Sequence, residues 1–273
     1  MKKSQLALVV ASLAGVMSAT AQPATWTPDP QFPDYWQLAA GVNDPNEACA
    51  EVAATDSLEW LSSTYNLPNL VQGQTWQGLA NTLEEPQYMD LNGGTYSGDF
   101  VNGKIAYINS VGYANRLVVE SQLGGEGTVP TISWIEQQVA ARQDVEIEVG
   151  WIETTPSGPD LWLNGHYVAV TGYNQNNLLI ADPWTGPGAN NAESLQIDGT
   201  VATELNFDAY GNQIPNYTLD YPEVTINDGI SYANADYEII FAAVSESVPE
   251  PSALSLIGMG GMALAAFLRR CKA

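Results

Sequence analysis

The sequence predicts an α+β fold, with N-terminal helices followed by an antiparallel sheet. Three observations predict it. Helix caps and helix-period apolar patterns fill the first part of the chain's body, up to about residue 142. Strand alternation then begins with Val145-Glu146-Ile147-Glu148-Val149, read as a half-buried strand. Asn174-Gln175-Asn176-Asn177 joins the next two β-rich runs as a hairpin signal. Helices first and strands last indicate α+β rather than a parallel doubly wound sheet.

Taken in order, Trp26 to Tyr35 is rich in Pro and Asp and reads as an extended lead-in. Asp44-Pro45-Asn46-Glu47 supplies a cap, a first-turn proline and an Asp-x-x-Glu box. A helix should follow to about Ser63, with Cys49 in its first two turns and Val52, Ala53, Leu58 and Leu61 facing inward. Further helices are expected over 75–83, 98–109 and 131–142, the last with Ile132, Ile135 and Val139 on one face. Strands are expected over 145–151, at Gly165–Tyr173, at Leu178–Ala181 and near 194–197, 204–207, 223–226 and 237–244. No internal repeat is present. The body, roughly 225 residues, suits one domain, and the 45% hydrophobic fraction supports a sizeable core.

The two ends read as targeting segments. Lys2 and Lys3, the apolar run Leu6–Val16 and the small residues Ala19-Thr20-Ala21 form a secretory signal over 1–21, leaving a chain that begins at Gln22. At the other end, Val248-Pro249-Glu250-Pro251 precedes an apolar run, Ala253–Leu268, and Arg269-Arg270. Sixteen helical residues would span about 24 Å, short for a bilayer core of about 30 Å. This three-part order resembles the PEP-CTERM sorting signal of bacteria that make exopolysaccharide. The resemblance implies Sec export, transient anchoring by a short transmembrane helix within 247–273, cleavage by a membrane exosortase, and release or attachment at the cell surface, with an exopolysaccharide matrix as a partner. The domain body is then 22–246.

The whole chain carries −23, and of its cations only Lys104, Arg116 and Arg142 lie outside the ends. So acidic a body repels phosphates, which disfavours nucleic acid as a partner. It suits a soluble extracellular protein. No complete EF-hand loop and no zinc-type spacing is present, so no metal and no cofactor is expected.

Cys271 falls in the segment expected to be removed, which leaves Cys49 as an unpaired thiol in an oxidising compartment. Its place at a helix start favours a thiolate, while Glu47 and Glu51 oppose one. The chain's one histidine, His166, opens a strand, and Asp182 ends the next one. Hairpin loops of three or five residues would put His166 on one face with Asp182 or Trp184; a two-residue loop would not. A thiol, an imidazole and an orienting carboxylate are the parts of nucleophilic acyl transfer. Trp184 could shield the pair from water.

At these residues the chain resembles the papain-like cysteine peptidases. The matching blocks are Gly165-His166-Tyr167-Val168-Ala169-Val170-Thr171-Gly172-Tyr173 and Leu179-Ile180-Ala181-Asp182-Pro183-Trp184, with Cys49 on the first long helix. The compact, bacteriocin-processing branch, with Asp as third member, looks most similar. The resemblance implies a papain-like sheet carrying the histidine and aspartate. It implies Cys49 as nucleophile, His166 as base, Asp182 as orienter, and a peptide or protein substrate. It also implies an amide donor to the oxyanion, at Asn43 by spacing or at Gln37. The alternatives are an inactive domain serving as a matrix or surface binding module, and an acyl transferase using the same triad.

Overall fold

The computed structural model describes residues 25–248 apart from 28–29, 92, 126–127, 186–192 and 228–231. The expected secretory signal over 1–21 and the apolar run 253–268 lie outside the described residues. Among the described residues no helix is long and apolar enough to cross a membrane; the short transmembrane helix expected over 253–268 falls outside them.

A short strand β1 (Thr25–Trp26) leads to helices α1 (Cys49–Thr64), α2 (Trp76–Leu83) and α3 (Ser97–Ser110). Strand β2 (Val118–Leu123) and helix α4 (Ile132–Ala140) precede β3 (Glu146–Glu153), β4 (Leu161–Asn174), β5 (Asn177–Ala181), β6 (Ser194–Phe207), β7 (Gln213–Ile226) and β8 (Tyr237–Ser247). Thr75 and Thr131 cap α2 and α4, each accepting a backbone N–H from the first turn. The two runs expected near 194–197 and 204–207 are one strand, and β2 was not foreseen.

Helix order and antiparallel pairing agree with the expected α+β class; the open papain-like sheet does not. All pairings are antiparallel, and the strands run β4-β3-β8-β7-β6-β5. β4 then pairs with β5 as well as with β3, so the sheet closes into a six-stranded barrel. The cause is the pairing of β6 with both β5 and β7, which brings the hairpin partner of β4 round to the far side. All six strands supply side chains to one buried cluster, among them Val149, Val168, Ile180, Leu195, Val224 and Ile240. Closure leaves no free edge within the ring.

Helix α1 is buried nearly all round. Ala50, Ala53, Ala54 and Leu58 share a cluster with Phe100 of α3 and Tyr167 of β4, and Leu58 and Leu61 are fully buried. Each such leucine contributes about 1.5–3 kcal/mol. The helix begins at Cys49, later than the capping box implied. Asp44 sits at φ 35°, and its carbonyl accepts the Glu47 N–H in a turn, so residues 45–48 precede the helix.

Strand β3 also departs from expectation. It is buried on both faces rather than half-buried, because α1 and α3 cover one side and the barrel interior the other. Its glutamates are therefore inside. Glu146 joins Asp144 and Glu246 around the buried Lys104 of α3; the Nζ lies 2.5 Å from Glu146 and 3.8 Å from Asp144, and contacts Glu246. One ammonium serves three carboxylates. Burial pushes Asp144 up to about 6 and Glu146 up to about 7, and it raises Glu246 well above the usual range.

Burial likewise pushes Glu51 and Glu148 up to about 7. Such carboxyls hold a proton more tightly folded than unfolded, so their contribution is fully present below about pH 4.5 and is lost as pH rises through 6–7. Thermal unfolding at fixed salt is expected to give a higher midpoint near about pH 5 than near about pH 8. A midpoint that is flat or rises over that range would contradict these buried carboxyls.

Candidate active site

The hairpin β4–β5 places the histidine and aspartate. Asn174 pairs with Asn177, so the loop is the two-residue one, Gln175-Asn176. Continued without interruption, that register would set Asp182 opposite Ala169 and on the other face from His166. The strand does not continue so. One extra residue, Thr171, lies between Val170 and Gly172 and shifts the pairing, so Ala169 faces Ala181. Asp182 then falls opposite Val168, two residues from His166 and on the same side. The Thr171 hydroxyl donates to the Leu179 carbonyl at 3.2 Å and pins the bulge. No residue pattern signals this bulge, and it overturns the consequence expected for a two-residue loop.

His166 Nε2 lies 2.7 Å from Asp182 Oδ1, and both side chains are buried. The same Oδ1 accepts the Trp184 N–H at 2.8 Å, and the Asp182 N–H donates to Glu193 at 3.1 Å. The Cys49 sulfur is the second polar neighbour of the ring. Burial pulls the imidazole down, but hydrogen bonds and charge from Asp182 and Cys49 outweigh it and raise the group to about 10. The ring centroid lies 6.3 Å from that of Trp151.

Cys49, His166 and Gln37 line one cavity of about 380 Å³, with Trp184 at its rim. Trp184 is 39% exposed, a partial cover rather than a seal. Gln37 is held by three contacts of its segment. Its N–H donates to the Pro183 carbonyl at 2.8 Å, its Nε2 donates to the Pro45 carbonyl at 2.8 Å, and the Trp36 ring donates to the Trp184 carbonyl at 3.1 Å. The lead-in is thus tied to the loop after Asp182. Asn43 lies elsewhere: it lines a separate depression with Asp44, Glu84 and Asp90, and its N–H donates to Asn81. Of the two amide candidates, only Gln37 shares the cavity with Cys49.

Two acids flank the cysteine. Glu47 lines the cavity, while Glu51 is fully buried and accepts a hydrogen bond from Thr95 at 2.6 Å. Raised to about 7 by burial, Glu51 is largely uncharged below neutrality, so its opposition to a thiolate weakens there. Glu148, Trp151, Trp162 and Tyr232 also line the cavity. They escaped sequence reading because strand alternation marked Glu148 as solvent-facing. The usable signal was Gly165 beside His166, a residue without a side chain where the neighbouring strand carries a carboxylate.

Residues 247–270 match the family model of the PEP-CTERM protein-sorting motif. The match carries that class's implication of export and exosortase-type processing. No curated protein matches the chain. Among solved structures, a Bacillus anthracis protein described as C39-like peptidase is similar at 16% identity over 80% of this chain and 94% of that one, with a TM-score of 0.38. Neither comparison singles out a bacteriocin-processing branch.

Cys49 and His166 line one cavity, so the ring should govern the reactivity of the sulfur. Iodoacetamide is expected to modify Cys49 in the folded protein near pH 6.5 about tenfold faster than a free peptide thiol, and His166→Ala should remove the excess. A rate that follows an ordinary thiol and ignores His166→Ala would contradict the pairing.

Proposed function

We propose that the protein is an exported cysteine peptidase that hydrolyses peptide bonds through Cys49, His166 and Asp182. The observation that carries this reading is the 2.7 Å bond from Asp182 to Nε2 of His166, whose ring lines the same cavity as Cys49. Asp182 engages Nε2, so Nδ1 is the ring nitrogen that takes the thiol proton. The thiolate attacks the peptide carbonyl carbon. The tetrahedral oxyanion is met by the Cys49 N–H, at the start of α1, and by the second Nε2 hydrogen of Gln37. The imidazolium returns its proton to the leaving amine. Water, deprotonated by the same ring, then attacks the acyl-enzyme and frees the thiol.

The expected outcome for variants follows from these roles. With reduced protein and a peptide library, Cys49→Ala and His166→Ala should each lower turnover by about 10⁴-fold or more, and the double variant should be little worse than either. Asp182→Asn should lose less, since the amide still orients the ring. A folded Cys49→Ala variant that cleaves at the parental rate would overturn the mechanism. A folded parent that alkylates at Cys49 yet cleaves nothing would favour a binding module.

The sorting motif supports export by Sec, exosortase processing near Pro249-Glu250-Pro251, and delivery to the cell surface or its surrounding matrix. The domain boundaries proposed are 22–246 for the enzyme and 247–273 for the sorting segment. Mass spectrometry of protein recovered outside the native cell should find a chain starting near Gln22 and ending near residues 249–251. Recovery of intact 253–268 would contradict the processing.

A further inference from the structure

We infer that the cavity beside Cys49 takes a cationic peptide side chain, lysine or arginine, with Glu148 as its counter-charge and the Trp162 and Tyr96 rings as its walls. This deepens the peptidase reading and rests on it.

Glu148 is 7% exposed and lines both the Cys49 cavity and a second one of about 220 Å³. Tyr96 and Trp162 line both as well, so these three side chains stand at the junction. Apart from His166, no lining residue of either cavity among the described residues is basic. The carboxylate is held at one oxygen only. Ser97 and Tyr167 both donate to Oε2, the latter at 3.2 Å, and Oε1 accepts no hydrogen bond among the described residues. Oε1 lies against Gly165, which also lines the Cys49 cavity, so a donor in that cavity can reach it.

The space around this group is built by the backbone. Gly150 and Gly165 face each other across β3 and β4. A Cβ at Gly165 would come within 2.7 Å of Glu148 Oε1, and one at Gly150 within 2.1 Å of the Trp162 ring. Two adjacent absent side chains thus leave room for the acid and for the aromatic wall beside it. An aliphatic stem on indole and phenol faces, ending at a carboxylate, is how lysine and arginine are recognised. A glutamate side chain would meet Glu148 and Glu47 with like charge, and a leucine would leave Oε1 unused.

The test uses N-acetylated hexapeptide amides in which one position at a time is Lys, Arg, Leu or Glu, assayed at about pH 8, above the value near 7 to which burial raises Glu148, and at about 0.15 M salt to screen the general acidity of the body. At one position Lys or Arg should exceed Leu in kcat/KM by about tenfold or more, with Glu the poorest. Glu148→Gln should collapse the basic-to-Leu ratio toward one, largely through KM, and Glu148→Asp should retain part of it. Asp220→Asn, an exposed acid far along β7, should leave the ratio unchanged. Binding of the preferred basic peptide to Cys49→Ala protein, followed by calorimetry, should weaken about tenfold with Glu148→Gln added. That arm reads the subsite without catalysis, so binding without any parental cleavage would sink the peptidase reading and leave the subsite standing. Equal rates for Lys and Leu peptides, or binding indifferent to Glu148→Gln, would overturn the inference. So would binding confined to peptides with free N-termini, which would assign the cation to the α-amino group.

Discussion

One inserted residue, Thr171, decides whether His166 and Asp182 meet. The two-residue turn at Gln175-Asn176 is the tightest hairpin connection, and on its own it would send His166 and Asp182 to opposite faces. The bulge restores their common face, and the Thr171 hydroxyl holds it. Everything else at the site depends on that register. Asp182 can then serve His166 and the Trp184 N–H together, and the loop after it can grip the lead-in that carries Gln37. Barrel closure makes the register hard to slip, since β5 is paired on both sides, by β4 and by β6.

The second constraint is charge. An acidic body with few cations has placed acids where they must be neutralised or protonated. Lys104 is spent on three buried carboxylates, tying α3 to β3 and to the end of β8. Removing its ammonium would leave buried charge without a partner, a change that costs about 3–5 kcal/mol in comparable cases. Glu246, one of the three, stands immediately before the sorting motif that begins at 247, so β8 is anchored at its boundary with that motif. Near the cysteine the same burial mutes Glu51, while Glu148 keeps one oxygen in reserve.

Much of this was legible in the sequence where local chemistry decides it. The helices expected over 75–83 and 131–142 form, Val145 to Val149 announced a strand, and Cys49, the single histidine and the hairpin aspartate were visible as a set. What failed was non-local. Closure of the barrel depends on β5 finding both β4 and β6, which no window of sequence contains. The burial of Glu146 and Glu148 depends on helices packing over β3, so period-two alternation misread them as solvent-facing. Asn43 matched by spacing, yet the turns at 45–48 and the left-handed Asp44 carry it away from the cavity that Gln37 enters. The late start of α1 at Cys49 has the same origin.

Because the chain has one histidine, its ring can be followed by proton NMR without assignment ambiguity. Asp182 and Cys49 outweigh burial at the ring, so the imidazole should stay protonated past about pH 9 and titrate near 10, with the midpoint falling in Cys49→Ala. A midpoint near the ordinary value of about 6.5, indifferent to Cys49→Ala, would contradict it.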